Sequence, residues 1–500
     1  MFQKWSVWKR WAALAVLVGA VLLLAIDGTV LYLAVPSLTA DLNATSSQVL
    51  WVGDIYSLVL AGLLVTMGNL ADRIGRKKLL ILGSFAFGFA SIIAATASSA
   101  EILILARLLL GIAGATIMPS TLSLIRNIFT DPAERTRAIA IWSAASASGV
   151  ALGPLIGGAL LENFWWGSVF LINLPVMVLV IVFGTLLLPE SRNPNPGKFD
   201  IVSSLLSMLT IIPFVYTIKQ ITGGKVGWMT LIAVIAMVIG AVLFIRRQRR
   251  STDPMIDVSL FRVPAFNGAV MVGFVAIFAM SGALFFFSQY LQLARGLSPL
   301  QAGLAELPIA LASMVAVAAV GFLLGKLGRG RAIALSLFVG AVGMVLLSEL
   351  EDSEQLIWVL LALIPLGLGV GIAQTLAVDA VVSAAPKEKA GAASSISETA
   401  FELGVALGIA ILGSLMTVFY RLHLELPSDI PDDIAAQAED SLATAVHVLT
   451  PASEALAQAQ HAFVSAMQTT TLIGGGIMVL AAVMAFYLIP SDVRAVKVKK

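Results

Sequence analysis

The sequence predicts an all-α membrane protein whose fourteen transmembrane helices are arranged as 6 + 2 + 6, and three observations carry that prediction. Hydrophobic residues make up 59% of the chain and charged residues 12%, about half the charged share of a water-soluble domain. Too few polar residues remain to cover several soluble cores, so the chain must bury itself in lipid. The apolar residues gather into fourteen runs of bilayer-spanning length. Lysines and arginines fall between alternate runs, the bias that orients membrane proteins.

In chain order the runs are 10–33, 49–69, 78–98, 101–124, 137–159, 167–188, 200–218, 226–245, 267–290, 302–324, 330–348, 355–379, 395–417 and 468–490. Helix is the conformation these runs permit. An isolated strand leaves its backbone groups unpaired in lipid, and barrel strands are shorter and alternate in polarity. The joints near 99, 329 and 350 are the narrowest, and losing one span would invert everything after it. The first run has the basic start of a secretory signal (Lys4, Lys9, Arg10), but it contains Asp27 and ends without a small-residue cleavage site. That predicts an uncleaved first span.

The basic residues test the count. With a cytoplasmic N-terminus, the inner connections are the N-tail, 70–78, 125–137, 189–199, 246–266, 325–331, 380–394 and the C-tail, and they hold 26 of the 31 lysines and arginines. Among them are Arg192, Lys198, Lys326, Arg329, Arg331, Lys387, Lys389, Arg494, Lys497, Lys499 and Lys500. The outer connections hold Lys219, Lys225, Arg295 and Arg421, while Arg107 lies inside a span. Both termini are therefore expected in the cytoplasm.

Residues 418–467 form a long, acidic outer connection with apolar residues at helical spacing from Ile434 to Phe463. They are read as a short helical hairpin against the outer mouth, with plain linker as the alternative. A repeat divides the rest. Gly68-Asn-Leu-Ala-Asp-Arg-Ile-Gly-Arg-Lys-Lys78 aligns with Gly321-Phe-Leu-Leu-Gly-Lys-Leu-Gly-Arg-Gly-Arg331 at an offset of 253 residues. Glycine, base, glycine, arginine and base recur at 68/321, 73/326, 75/328, 76/329 and 78/331. The expected organisation is a six-helix bundle over 1–190, an inserted helix pair over 191–250, and a second six-helix bundle over 251–500. Two related bundles facing each other form a transporter architecture with a central site.

Charges at lipid depth are costly and usually face a bundle interior or an aqueous cavity. Asp27 interrupts span one, Asp54 sits in Trp51-Val-Gly-Asp-Ile-Tyr-Ser57 of span two, and Arg107 lies in span four. All three fall in the outward half and are expected to meet in one cavity, as proton-coupling or substrate-binding groups or, alternatively, as structural ion pairs. Glu398 and Glu402, four apart, share a helix face at the start of span thirteen. They are either cavity-lining carboxylates or ordinary helix N-terminal charges. Glu306 and Asp379 are weaker candidates that also suit an interface.

Gly149, Gly153, Pro154, Gly157 and Gly158 give span five a small-residue packing face with a proline bend, expected to move during transport. Gly68, Asp72, Arg73, Gly75 and Arg76 make a charged turn that serves either orientation alone or as a charge-paired latch between spans. Aromatic residues and 16 methionines suit a cavity for apolar cations but equally fill membrane helices. With no cysteine and three histidines, all between His423 and His461, thiolate catalysis and a metal centre are not expected, and no cofactor is expected. No GxxxxGK[ST] sequence is present, so the driving force is expected from a gradient. One proton moving inward at 100 mV supplies about 2.3 kcal/mol.

These segments resemble the fourteen-span drug:proton antiporters of the major facilitator superfamily, especially bacterial efflux pumps for quaternary ammonium antiseptics. Gly68 to Lys78 matches the motif after span two, and Arg107-Leu-Leu-Leu-Gly111 the span-four arginine motif. Gly149 to Gly158 matches the Gly-Pro motif of span five, and Asp27-Gly-Thr-Val-Leu-Tyr-Leu-Ala-Val-Pro36 the span-one motif of the fourteen-span branch. The resemblance implies the major facilitator fold and proton or substrate binding at Asp27, Asp54, Glu398 and Glu402, with Arg107 in proton coupling. It implies efflux of lipophilic cations such as antiseptics, biguanides and dyes from a bacterial inner membrane in exchange for protons. Protons, cations and membrane lipids are then the partners, nucleic acid is not, and a monomer suffices. Where some relatives carry an aspartate in span ten, Ser313 stands here, with Glu306 about two turns earlier. Other expectations are an exporter of amino acids or siderophores and, less favoured, a channel.

Overall fold

The computed structural model describes residues 6–192, 200–251, 254, 258–351, 355–384, 390–428 and 430–491. Lys4, Lys198, Lys387, Lys389, Arg494, Lys497, Lys499 and Lys500, assigned above to inner connections, lie outside them. The described residues are helical throughout, with no strand. Their helices are α1 Val7–Leu42, α2 Ser46–Ile74, α3 Arg76–Ala95, α4 Ala100–Ile128, α5 Pro132–Asn163, α6 Ser168–Leu171, α7 Asn173–Leu187, α8 Ile201–Thr222 and α9 Trp228–Arg250. After a 3-10 turn at Val258–Arg262 come α10 Pro264–Gln289, a π-turn Tyr290–Ala294, α11 Pro299–Ala305, α12 Leu307–Leu327, α13 Arg329–Leu350, α14 Leu356–Ala384, α15 Ala390–His423, α16 Asp432–Asp440, α17 Leu442–Val448 and α18 Glu454–Leu488. Fourteen segments are long and apolar enough to cross a membrane, counting α6 with α7 and α11 with α12 as one each. The narrow joints near 99, 329 and 350 are genuine helix ends.

Local chemistry sets the ends. Asn43 closes α1 in the left-handed conformation at φ 49°, and two residues later Thr45 opens α2 with a capping box to Gln48. Two spans break where Leu-Pro follows a polar residue. Pro175 and Pro308 lack the amide that would continue the ladder, so the turns before them hold Asn173 and Glu306 at helix starts. Pro154 similarly orphans the carbonyl of Val150. The Thr29 hydroxyl of α1 reaches that carbonyl at 3.4 Å.

The two halves repeat each other's packing. Contacts α1–α5, α2–α4, α3–α4, α3–α7 and α1–α7 have counterparts in α10–α15, α12–α14, α13–α14, α13–α18 and α10–α18. The repeat seen in the short turns is therefore a property of whole bundles. Gly75 and Gly328 both adopt positive φ, 114° and 74°. Each abuts the chain leaving its bundle's last helix, at Glu190 and at Ser491 respectively. Glycine is required at both places, because a side chain would strain the backbone and collide with that segment.

Calling the end where α1 begins the near end, the described basic residues of the inner connections lie at the near end. At the far end, α16 and α17 form the expected hairpin against α15, α18 and α1. Its sequence limits need correction, since the acidic connection starts at the end of α15 and its last part, from Glu454, is already α18. Lys219 also needs correction. It belongs to no outer connection, because α8 continues to Thr222 and carries it inward. The inserted pair α8 and α9 pack on each other, and α8 also lies against α2 and α15. At the near end Asp200 caps α8 and takes Arg247 of α9 at 2.8 Å. Partial burial opposes the charge there, but hydrogen bonds from Arg247 and Ser203 hold the carboxyl below its ordinary range.

The α1–α5 contact is glycine-built: a β-carbon on Gly149 would meet Ala25, on Gly153 Thr29, and on Gly157 Val30. Gly153→Val is therefore expected to cost about 1–3 kcal/mol by overpacking. The check is a lowered thermal unfolding midpoint in detergent, and an unchanged midpoint would show that the two helices do not touch there.

Candidate transport site

The buried charges do not converge on one place. Asp27 of α1, fully buried, pairs with Arg107 of α4 at 3.0 Å. Its other oxygen accepts from Asn173 Nδ2 at 2.7 Å, and that amide also reaches Ser91 Oγ at 3.0 Å. Arg107 donates through Nε to Val52 O at 3.2 Å and lies 4.6 Å over the Tyr56 ring. Gly111, one turn on, lets α4 lie against the Tyr56 carbonyl of α2. Every strong bond of the Asp27–Arg107 pair is thus made inside the first bundle.

Asp54 points elsewhere. Its Oδ2 lies 2.6 Å from Lys219 Nζ of α8, both side chains are buried, and the ammonium sits 3.7 Å over the Trp51 ring. Of the three residues that could have met in one cavity, Asp27 and Arg107 come together and Asp54 is held apart from them. The reason is that each carboxylate found its own cation on a different neighbouring helix. Removing one partner of such a pair strands the other at lipid depth.

The cavity lies between the halves and holds different acids. One lobe of about 860 Å³ is lined by Tyr32, Tyr56, Ser57, Met118, Met280, Phe401 and Glu402. A second lobe of about 880 Å³ shares Thr29, Tyr32, Val150, Met280 and Leu284 with it and adds Pro154, Glu306, Ser313, Met314, Gln374 and Thr375. Glu306 and Glu402 are the charged side chains among the described lining residues. Glu306 is 3% exposed and its Oε1 has no hydrogen-bond partner. It lines the same lobe as Ser313, whose hydroxyl donates to Ile309 O and Gly367 O at 2.9 and 3.0 Å. Glu398, one turn nearer the start of α15, is half-buried and outside the lining set.

Hydrogen bonds join the halves at the far end. Asp440 accepts from Ser46 N at 2.7 Å and from Ser46 Oγ at 3.1 Å, Gln292 Nε2 donates to Leu33 O at 3.1 Å, and Leu300 N donates to Glu162 at 3.3 Å. Gly158 and Gly303 bring α5 and α11 together beside them. The cavity runs from there toward the near end, past Met118 and Val317. The charged turn after α2 is paired locally: Asp72 binds Arg76 at 2.7 Å, Gly75 abuts Glu190, and Lys77 Nζ donates to Thr185 O at 2.7 Å. Arg329, its repeat counterpart, pairs with Asp379 of α14 at 2.7 Å. Gly68 faces Pro119 of α4.

Reading the sequence alone missed three residues. Lys219 looked like loop charge because its helix was ended four residues early, although a lone Asp54 at lipid depth already called for a cation. Asn173 gave no signal, since asparagine before Leu-Pro reads as a helix end. Glu351, 1% exposed, caps α13 beside Tyr290, whose hydroxyl donates to the Glu351 carbonyl at 2.6 Å.

Two repeated bundles enclosing a cavity at their interface, with buried acids in reach of it, define a secondary transporter. The model of the Major Facilitator Superfamily matches residues 17–409, and the chain belongs to that superfamily, as a secondary active transporter and not an enzyme. It is similar to the multidrug efflux pump LfrA of Mycolicibacterium smegmatis, at 43% identity over 95% of both chains. It is also similar to the methyl viologen resistance protein SmvA of Salmonella typhimurium, at 35% identity over 95% of this chain and 97% of that one. Among solved structures, a bacterial homolog of the human lysosomal transporter Spinster superposes with a TM-score of 0.70 at 16% identity, covering 98% of this chain and 99% of the other.

The Asp27–Arg107 pair makes a stability prediction. Arg107→Met is expected to cost about 3–5 kcal/mol by leaving Asp27 buried without a cation. Asp27→Leu combined with Arg107→Met should cost less than Arg107→Met alone, as read from thermal unfolding of the purified variants; equal losses would show that the two charges are not coupled.

Proposed function

We propose that the protein is a proton-coupled antiporter that exports lipophilic organic cations across a bacterial inner membrane, with both termini in the cytoplasm. The observation that carries this reading is the lining of the central cavity: aromatic rings and methionines around two carboxylates, with no lysine or arginine among its described residues. Rings and thioethers suit a flat apolar cation of variable shape. The acids supply what it must neutralise, and they are also what a proton binds. A proton and an organic cation then compete for Glu402 and Glu306, so the arrival of one favours departure of the other.

The near end is the cytoplasmic face on this reading, and the halves meet at the far end. The described conformer is accordingly the one that loads substrate from the cell. Rocking of the two bundles about the cavity would expose the same acids to the outer phase. Division of the chain near residues 190 and 250, with the inserted pair between two bundles, provides the rigid bodies for that motion. A monomer contains the whole site.

Two acids on adjoining lobes favour substrates carrying two positive charges as well as one. Methyl viologen, from which the Salmonella resistance protein takes its name, is such a dication. Quaternary ammonium antiseptics and biguanides share this chemistry. An amino acid or siderophore exporter needs a base for its substrate's carboxylates or hydroxamates, and the lining provides none.

Everted membrane vesicles provide the test. A proton gradient should drive ethidium uptake into them, a protonophore should abolish it, and Glu402→Gln should weaken transport at least about tenfold, the equivalent of one lost charge-assisted contact. Glu306→Gln should depress transport of methyl viologen more than that of ethidium. Ethidium movement indifferent to the proton gradient would refute the reading.

A further inference from the structure

The Asp54–Lys219 pair lies outside the central cavity, with both side chains buried, beneath a second space. A polar vestibule of about 770 Å³ opens at the far end between α2, α8 and α15, and Lys219 forms part of its wall. Gln48, Thr222, Ser414, Thr417 and Arg421 line it, with Asp440 of the hairpin at its rim. Ser414, one of these lining residues, is 2% exposed and its buried hydroxyl has no hydrogen-bond partner. The far-end contacts that close the central cavity leave the vestibule in place.

We infer that the Lys219–Asp54 pair is a proton-entry gate served from the far face through this vestibule, along a route separate from that of the substrate. Lys219 is the positioning residue: its ammonium is a tethered cation that occupies Asp54 whenever the proton is away. Trp51 on one side and Asp54 on the other hold it across the vestibule floor, where its charge repels incoming protons. When the bundles rearrange and the ammonium withdraws into the vestibule, a proton from the far phase joins the carboxylate and neutralises it. On return, Lys219 pairs with Asp54 again and the proton is released to the near phase, so charge at Asp54 is balanced in both states. The inserted helix pair thereby takes part in coupling, because α8 supplies the cation.

The charges around the pair are few. From α4, Arg107 is turned to Asp27 of α1. From α15, Glu402 faces the cavity beside Ser57, and Arg421 sits at the rim with Asp440 at 3.3 Å. Lys225 follows α8 at the vestibule mouth. On α9 the first charged residue is Arg246, at the opposite end. Lys219 alone is close enough to compensate Asp54.

The inference rests on the antiport reading above, and its test separates the two. Wild-type vesicles without proton-driven efflux would refute antiport before any variant is compared. Given that activity, Lys219→Met leaves a buried carboxylate without its cation, which favours the neutral acid. The optimum of efflux should therefore move to more alkaline pH by at least about one unit. Lys219→Arg should keep the wild-type optimum, and Lys219→Met with Asp54→Asn should lose the displaced profile. A wild-type optimum in Lys219→Met, at full or reduced activity, would overturn the gate.

A second measurement needs no change to the pair. The chain has no cysteine, so Ser414→Cys and Thr417→Cys report on themselves alone. Both should react with a membrane-impermeant thiol reagent in right-side-out vesicles and not in everted ones. Reaction from the everted side only, or from neither side, would overturn the route.

Discussion

Burying a charge at lipid depth is so unfavourable that each ionisable side chain here must find a partner, shed its charge or face water. That constraint sorts the site. Asp27 has Arg107 and Asn173, with every hydrogen bond drawn from helices of one bundle. Asp54 has Lys219, from a helix outside both bundles. Glu306 and Glu402 have no cation within the described structure and face the cavity instead. A paired carboxylate is held, whereas an unpaired one facing a cavity is available to whatever cation enters. The same functional group is thus tied to a cation at Asp27 and left without one beside the cavity at Glu306 and Glu402.

Packing separates contacts made within a half from those made between the halves. In α1–α5 the glycines of α5 accept α1 side chains, and in α10–α15 Gly404 and Gly408 lie against the backbone of Phe274 and Phe278. Without apolar solvent exclusion between helices in lipid, such close approach is what holds a bundle together. Between the halves, by contrast, the far-end hydrogen bonds engage backbone groups and polar tips: Leu33 O, Ser46 N and Leu300 N. Contacts of that kind break and re-form at modest cost, as alternation of access requires.

Most of the fold was legible because its signals are long and redundant. Fourteen apolar runs, alternating basic joints and a repeated glycine-base turn each specify the same helix count. The site was less legible because helix-facing direction is set by tertiary packing. Spacing alone placed Asp27, Asp54 and Arg107 at similar depth, and depth is correct, but it carries no information about azimuth. Lys219 was misread for a related reason. A lysine near a helix end looks like interface charge, and only the neighbouring acid on α2 draws it inward. Glu306 was undervalued because its distance from Ser313 along the chain suggested separate stretches. Their i, i+7 spacing puts both on one face, and both line one lobe.

In the inserted pair, charge burial and helix packing act on the same residues. Two extra helices between repeated halves need do nothing but cross the membrane, and α9 does show lipid a broad apolar face: Leu231, Ile235, Val238 and Val242 are all exposed. α8 differs, because its polar residues are turned inward on α2, where Ser204 bonds Thr66 and Lys219 bonds Asp54. A spacer would gain nothing from a buried lysine, since an apolar side chain of that volume would pack as well or better against an apolar neighbour. The cation is there because Asp54 is, and Asp54 lies on the helix that also packs against α15, with Ser57 one turn on beside Glu402. Any movement of α2 relative to α8 must therefore stretch the Asp54–Lys219 ion pair while shifting one wall of the cavity.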